Sequence, residues 1–278
     1  MIHTHIDARL RWLDWRPGEL WRYRDLIALF AKKSLKVAYT QTVLGPLWLL
    51  ISPLLSSIVY LILFGRIAKL GTGGAPELLF YLTGTAGWGF FAACFQNNSG
   101  VFGANAYLFG KIWFPRLTVP LSNLLTALFR LGVQLLPALA LAAVHWARGE
   151  IAPNGWGLLL LPLTVAQLAF LGLGCGLIVS ALTARYRDLG ALVPVGTQLW
   201  MYVTPVVYPI SALPAGAIRR LVLVNPATAG MELLRCALIG TPPPAAGVVA
   251  AAWGVTLALL FLGLLLFHRV ERTVMDTV

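Results

Sequence analysis

Charge is scarce in this chain. Lys, Arg, Asp and Glu together make up 11% of its 278 residues and hydrophobic residues 59%, so a water-soluble fold would have nowhere to put its apolar surface. Acid is scarcer still, with ten carboxylates, all outside the long apolar runs or at their edges. That argues against a proton- or sodium-coupled carrier, which needs an acidic or polar ion site at mid-membrane. A GxxxxGK[ST] stretch is missing, so the chain is not expected to cradle ATP phosphates itself. HExxH, a Cys/His cluster and a Ser/His/Asp set at a strand end are missing too, and His3, His5, His145 and His268 are scattered to tails and span ends; no catalytic centre, metal or bound cofactor is expected. Cys94, Cys175 and Cys236 are odd in number and lie in or near apolar runs, which suits small packing residues and not a disulfide framework. No cleavable signal is visible, because residues 1–43 carry eight Lys or Arg and no apolar core at the start.

What the chain has instead is long hydrophobic runs, and the first is entered through a basic amphipathic segment. On a helical wheel Leu26, Ile27, Phe30, Ala31, Leu35, Val37 and Ala38 share a broad sector, with Asp25, Lys32 and Lys36 opposite and Lys33 beside them. Such a helix should lie in the headgroup plane, cations toward phosphate. The run that follows is long enough to cross a bilayer core, about 20 residues. The sequence predicts an all-α polytopic membrane protein in three parts: a cytoplasmic segment 1–43 with the amphipathic helix, a six-span domain 44–268 and a cytoplasmic tail 269–278. The spans fall at about 44–64, 78–95, 119–146, 156–183, 191–207 and 247–267, with Pro53 kinking the first. Residues 96–118 read as a polar, Gly-rich loop holding a short helix. Between spans five and six, two short apolar pieces split by Asn225-Pro226 suit re-entrant half-helices. GLGCG at 172–176 should let helices approach closely.

Charge sets the orientation. With both termini inside, the inner segments hold fourteen Lys or Arg and the outer ones six, Arg66, Lys69, Arg148, Arg219, Arg220 and Arg235. The net charge of +11 is spread between apolar spans and forms no single groove, so anionic lipid is the expected partner and nucleic acid is not. Arg130 is the one charge read inside a span, about 18 Å deep by helix rise. It costs several kcal/mol in lipid unless it faces protein or water. Gln134 or Asn123 could accept from it, and its role is either to attract an anionic substrate group or to brace helices. The aromatic-rich second span, with Phe80, Tyr81, Trp88, Phe90, Phe91 and Phe95, could stack on sugar rings or serve as interfacial and lipid-facing packing.

Tyr39 with LGPLW (44–48), NAYLFGKIWFPR (105–116), RYRDLG (185–190), TPVVYP (204–209) and NPATAGMELLRCALIG (225–240) together resemble the ABC-2 type permeases that export polysaccharides such as O-antigen, capsule and teichoic acid precursors. The resemblance runs in order along nearly the whole chain. It implies a non-enzymatic permease in the bacterial inner membrane, a homodimer joined by two separate ATP-binding subunits that hold ATP and magnesium, and a lipid-linked glycan as substrate. The helix at about 19–40 would be the interface helix and 102–116 a coupling helix. Coupling to the ATPase would then use Asp25, Lys32, Lys33, Lys36, Asn105, Lys111, Phe114, Pro115, Arg116, Arg187 and Asp188. The substrate pathway would use Tyr39, Trp48, Tyr81, Trp88, Phe91, Arg130 and Tyr208, and the outer gate Asn225, Pro226 and Arg235. One departure stands out: the resemblance implies a polar or acidic residue mid-way along span three, where this chain has Arg130. A drug or lipid exporter of the same type would share the spans. A membrane-embedded sugar transferase would need converging carboxylates or histidines, and Glu77, Glu150, Asp188 and Glu232 are dispersed.

Overall fold

The structure, a computed structural model, describes residues 17–40, 44–152 and 155–275. The aromatic and basic segment before Pro17 lies outside the described residues, as does the side chain of Tyr39. Every regular element among the described residues is helical. The order is α1 (Pro17–Arg22), α2 (Arg24–Tyr39), α3 (Trp48–Tyr60) with a π-helical continuation Leu61–Ile67, α4 (Glu77–Ser99), α5 (Val101–Ala104), α6 (Ala106–Lys111), α7 (Thr118–Ala147), α8 (Gly155–Thr183), α9 (Leu189–Val203), α10 (Ala217–Val224), α11 (Pro226–Ile239) and α12 (Ala246–Met275).

Among the described residues five helices are long and apolar enough to cross a membrane: Gly45–Ile67, α4, α7, the Leu159–Thr183 part of α8, and the Ala246–Glu271 part of α12. The fifth predicted span is α9, shorter than expected at 15 residues; it rises about 22 Å against a bilayer core of about 30 Å. Pro205 is the reason. It has no N–H to continue the ladder and disfavours helix at Thr204, which is extended (ψ 139°). Two other boundaries also differ from the reading. The second span continues through Gln96–Ser99, because Asn98 donates to the Cys94 carbonyl (2.7 Å) and Ser99 to that of Gln96 (2.7 Å), so these polar groups are satisfied within the helix. The last span runs unbroken to Met275 and into the predicted tail.

The most buried span is α4, and its rings explain why: Phe80, Tyr81, Trp88, Phe90, Phe91 and Phe95 are all buried within the bundle. They pack against α8, α7, α11 and α9, so in the protomer they face neither lipid nor a passage. GLGCG works on two sides of α8. A Cβ at Gly172 would stand 2.9 Å from the Phe91 carbonyl oxygen of α4, and one at Gly174 would stand 2.7 Å from the Leu260 nitrogen of α12.

Two ends of the bundle can be defined. At the near end α2, α5 and α6 gather with the last turns of α4, α8 and α12; the far end carries the loops at 68–76 and 148–152. Phe102 stacks on Phe267 at 4.5 Å and Phe30 meets Phe114 edge-on at 5.8 Å, which puts the amphipathic helix and the end of the last span on one side, as six crossings require. Of the wheel's apolar sector, Ala31 is buried and Leu26, Ile27, Phe30 and Leu35 are partly so, whereas Val37 and Ala38 are exposed. The covered stripe of α2 lies against α7 and the near-end rings.

The segment 204–240 folds back on itself. Gly73 of the far-end loop lies beside Pro209 and Ser211, Gln167, about 18 Å into α8, donates to the Pro226 carbonyl (3.0 Å), and Gly157 lies against Cys236 at the far end. The chain thus descends to mid-depth and returns, with α10 and α11 bent 81° apart at Asn225. The sequence predicts two short apolar pieces split at Asn225-Pro226, and the structure has them as this bent pair.

Candidate functional site

The residues predicted to couple, to line a pathway and to gate fall in three places. At the near end, Lys32, Lys33 and Lys36 are exposed along α2, with Asp25 exposed in its first turn. Asn105 precedes α6 and turns its amide back to the Val101 carbonyl (2.9 Å). Lys111 is exposed, with its ammonium on the Tyr107 ring (4.0 Å) and hydroxyl. Tyr107, Ile112 and Trp113 are exposed beside it. Phe114 and Arg116, by contrast, are buried, with Pro115 half-buried between them. Arg187 and Asp188 are exposed in the turn before α9. One structural unit thus combines an outward face of cations and large apolar groups with an inward face of rings.

Alongside it, Leu35, Lys36, Thr40, Pro46, Leu49 and Phe129 line an open cleft of about 410 Å³ between α2, the start of span one and α7. Trp48, from the predicted pathway, is exposed on that span.

In the middle of α7, Arg130 is partly exposed, and its Nε is buried with no hydrogen-bond partner among the described residues. Neither proposed acceptor is bonded to it. The Asn123 amide donates instead to the Asn97 carbonyl (2.9 Å) and the Asn98 side chain (3.1 Å) of α4. Gln134 lies at Gly89, its Oε1 3.7 Å from where a Cβ would stand. Asn123 and Gln134 therefore mark a polar seam between α4 and α7, and Arg130 lies one helical turn from Gln134 along it. Across the bundle Tyr81, Trp88 and Phe91 are core residues, as described above, while Tyr208 is half-buried and donates to the Tyr202 carbonyl (3.0 Å).

Toward the far end, the predicted gate residues come together on the end of α9. Asn225 caps α11, accepting from the Ala227 N–H (3.1 Å) and from Trp200 Nε1 (3.1 Å), and donates to Thr204 Oγ1 (2.8 Å). Pro226 fills the first helical position, where its missing N–H costs nothing. The guanidinium of Arg235 is 1% exposed. It donates to the carbonyls of Pro205 (2.6 Å) and Val206 (2.7 Å) and to Glu232 (3.0 Å), and lies 3.7 Å over the Phe80 ring. This corrects the expectation that Arg130 is the one charge inside the bundle and that Arg235 belongs to an outer loop. The pair at i and i+3 in a 14-residue helix reads as surface charge, but α11 is buried on nearly every side. TPVVYP explains the need. Once Pro205 breaks the helix, carbonyls are left without N–H partners, and a planar guanidinium can serve two of them at once.

Sequence reasoning passed over Gln167, whose amide reaches both Pro226 and Thr256 Oγ1 (3.0 Å). A lone amide in the middle of an apolar span was the available signal.

The family model of the ABC-2 type transporter matches residues 25–239. Among curated relatives, two proteins of Klebsiella pneumoniae, each described as the O-antigen export system permease protein RfbA, are 30% and 31% identical over 190 and 193 residues, 68% of this chain and 71% of theirs. One of Myxococcus xanthus with the same description is 30% identical over 212 residues, 75% of this chain and 78% of that protein.

Proposed function

This chain belongs to the ABC-2 type transporter family, and from that premise we propose that it is the membrane subunit of an ATP-driven exporter of lipid-linked polysaccharide, with an O-antigen-type glycan as its cargo. It is a multi-pass membrane protein. The observation that carries the finer reading is the near-end unit: exposed Tyr107, Lys111, Ile112 and Trp113 share one short segment with the buried ring of Phe114 and the half-buried ring of Phe109, which pack together and against buried Phe102. Exposed apolar groups rimmed by cations suit a protein partner, and the rings beneath would carry its movement into the spans. The partner is a separate ATP-binding subunit, since this sequence holds no phosphate loop. The near end then faces the cytoplasm of a bacterial inner membrane, in keeping with the excess of Lys and Arg there.

The transporter would comprise two copies of this chain and two ATP-binding subunits. A lipid diphosphate at the head of the glycan would be drawn by Lys32, Lys33 and Lys36. Along the pathway Arg130 supplies the cation, and its unpartnered Nε supports that role. Asn225, Pro226 and Arg235 hold the re-entrant pair that closes the exit.

Two measurements test this. Co-expression with the cognate ATP-binding subunit should yield a two-plus-two complex that hydrolyses ATP while this chain alone does not, and deletion should strip the cell surface of glycan. ATP hydrolysis by the isolated chain, or an undiminished surface glycan, refutes the reading. Separately, Arg130→Gln is expected to lower export at least tenfold at unchanged membrane abundance, and normal export by that variant removes Arg130 from the pathway.

A further inference from the structure

Arg116 lies three residues after the exposed run Lys111, Ile112 and Trp113, yet it is 5% exposed. A cation so placed needs an acceptor inside the protein. Its Nη1 finds one 155 residues away, donating to the Glu271 carbonyl at 3.1 Å near the end of α12. The guanidinium lies 5.3 Å over the Phe109 ring of α6, so one side chain joins the exposed segment to the last span. The Glu271 carboxylate is turned to His268 Nδ1 (3.1 Å), which leaves the backbone carbonyl as the group Arg116 grips. That carbonyl belongs to the last turns of the helix, where the macrodipole is negative and a cation is favoured.

We propose that Arg116 is a positioning residue that ties the partner-docking segment to the end of α12, so that displacement of the one moves the other. The proposal rests on the exporter reading above. Three features make the tie effective. The rings around it form a small core of their own, Phe102 against Phe267 at 4.5 Å, Phe109 against Phe114 at 5.7 Å and Phe114 against Phe30 at 5.8 Å. This core is distinct from the cluster deeper in the bundle, and it also takes in Leu173 and Leu177 of α8. Close packing there leaves little slack for an imposed shift to be absorbed. Second, α12 is unbroken from Ala246 to Met275, so its near end cannot move as a separate tail. Third, α12 and α8 are in backbone contact, a Cβ at Gly263 lying 2.5 Å from the Gly174 carbonyl oxygen. A push delivered at residues 107–116 therefore reaches two spans together. Of the segment's two cations, Lys111 faces outward and Arg116 faces inward, and only the second makes this connection.

The test compares the assembled complex carrying Arg116→Gln or Arg116→Lys with the unaltered one in reconstituted membranes, reading ATP hydrolysis and glycan exported from the same sample. Arg116→Gln is expected to assemble, to hydrolyse ATP within about twofold of the unaltered complex, and to export at least tenfold less glycan per ATP; Arg116→Lys should fall between. Hydrogen exchange across residues 268–275 should respond to ATP in the unaltered complex and lose that response in Arg116→Gln. A purely structural role would lower assembly, hydrolysis and export in proportion, and that result overturns the proposal, as does failure of both variants to accumulate. Normal export per ATP in an intact Arg116→Gln complex sinks the tie alone, whereas an unaltered chain that binds no ATP-binding subunit sinks the exporter reading.

Discussion

Arg235→Ala is expected to remove most of the folded protein from the membrane, lowering the monodisperse fraction recovered in mild detergent at least tenfold. The guanidinium serves the carbonyls of Pro205 and Val206 and the Glu232 carboxylate from a site that is 1% exposed. Truncation leaves all three unanswered. Breaking a buried ion pair by removing one partner costs about 3–5 kcal/mol, and each stranded acceptor adds about 1–3 kcal/mol. Against a total stability of about 5–15 kcal/mol the loss is disabling. Arg235→Lys should recover little, because an ammonium cannot present two parallel N–H groups to adjacent carbonyls while lying flat on Phe80. Removing the carboxylate as well, in Glu232→Ala with Arg235→Ala, should recover part of the yield, since it takes away the unpaired charge and leaves only the carbonyls. Undiminished recovery of Arg235→Ala would mean that water or lipid reaches Pro205 and Val206, contrary to their burial.

The same residue marks where the sequence stopped being readable. Long apolar runs carry their own boundaries: the third and fourth spans were expected at about 119–146 and 156–183, and the helices are Thr118–Ala147 and Gly155–Thr183. Small residues carry their meaning too, and GLGCG announced the close approach it makes. What the chain does not announce is which polar group answers which. Gln96–Ser99 reads as loop because four polar residues in a row look unfit for a span, yet two of them close hydrogen bonds within α4. Asn123 looked like a partner for Arg130 about two turns away on the same helix face, but α4 offers it Asn97 and Asn98 instead. Arg235 lies in a short apolar piece between two predicted spans, so a count of Lys and Arg per loop assigned it to the outside.

Burial of the second-span aromatics was equally hidden. Rings at positions 80, 81, 88, 90, 91 and 95 occupy about half of α4's circumference, and Leu79, Leu82 and Ala86 on the other side are buried as well, which is what a helix surrounded on most sides by protein needs. From sequence that pattern is indistinguishable from a helix bathed in lipid or lining a sugar path. The break between α10 and α11 was legible because Asn225-Pro226 carries a cap and a helix start together, signals that are local. Tertiary pairings such as Arg116 with Glu271 have no local signature, and the two are 155 residues apart.

Gly174→Leu is expected to be at least as damaging as Arg235→Ala, for a reason of shape and not of charge. At Gly174 the Cβ alone would lie 2.7 Å from the Leu260 nitrogen and 2.8 Å from its Cα. These are backbone atoms of a continuous 30-residue helix, so no rotamer change relieves the clash and α12 must move away bodily. Separation would also part Gly263 from the Gly174 carbonyl, and with it the contact along which α8 and α12 meet. Overpacking in a yielding core costs about 1–3 kcal/mol; a backbone that cannot yield sets the cost here above that range. Association of spans in lipid depends on packing, since burial of apolar surface gives no advantage over lipid tails. Two controls isolate the effect. Gly254 lies in the same partner helix with nothing within 4 Å of its Cβ position, and Gly254→Ala should leave recovery and thermal stability unchanged or improve the latter by about 0.5–1 kcal/mol through the helix propensity of alanine. Gly174→Ala should already lower the unfolding temperature measurably, because the clash begins at the first carbon. Equal stability of Gly174→Ala and Gly254→Ala would mean that the two spans do not touch at this point, and the tie between the docking segment and α8 would lose its second link.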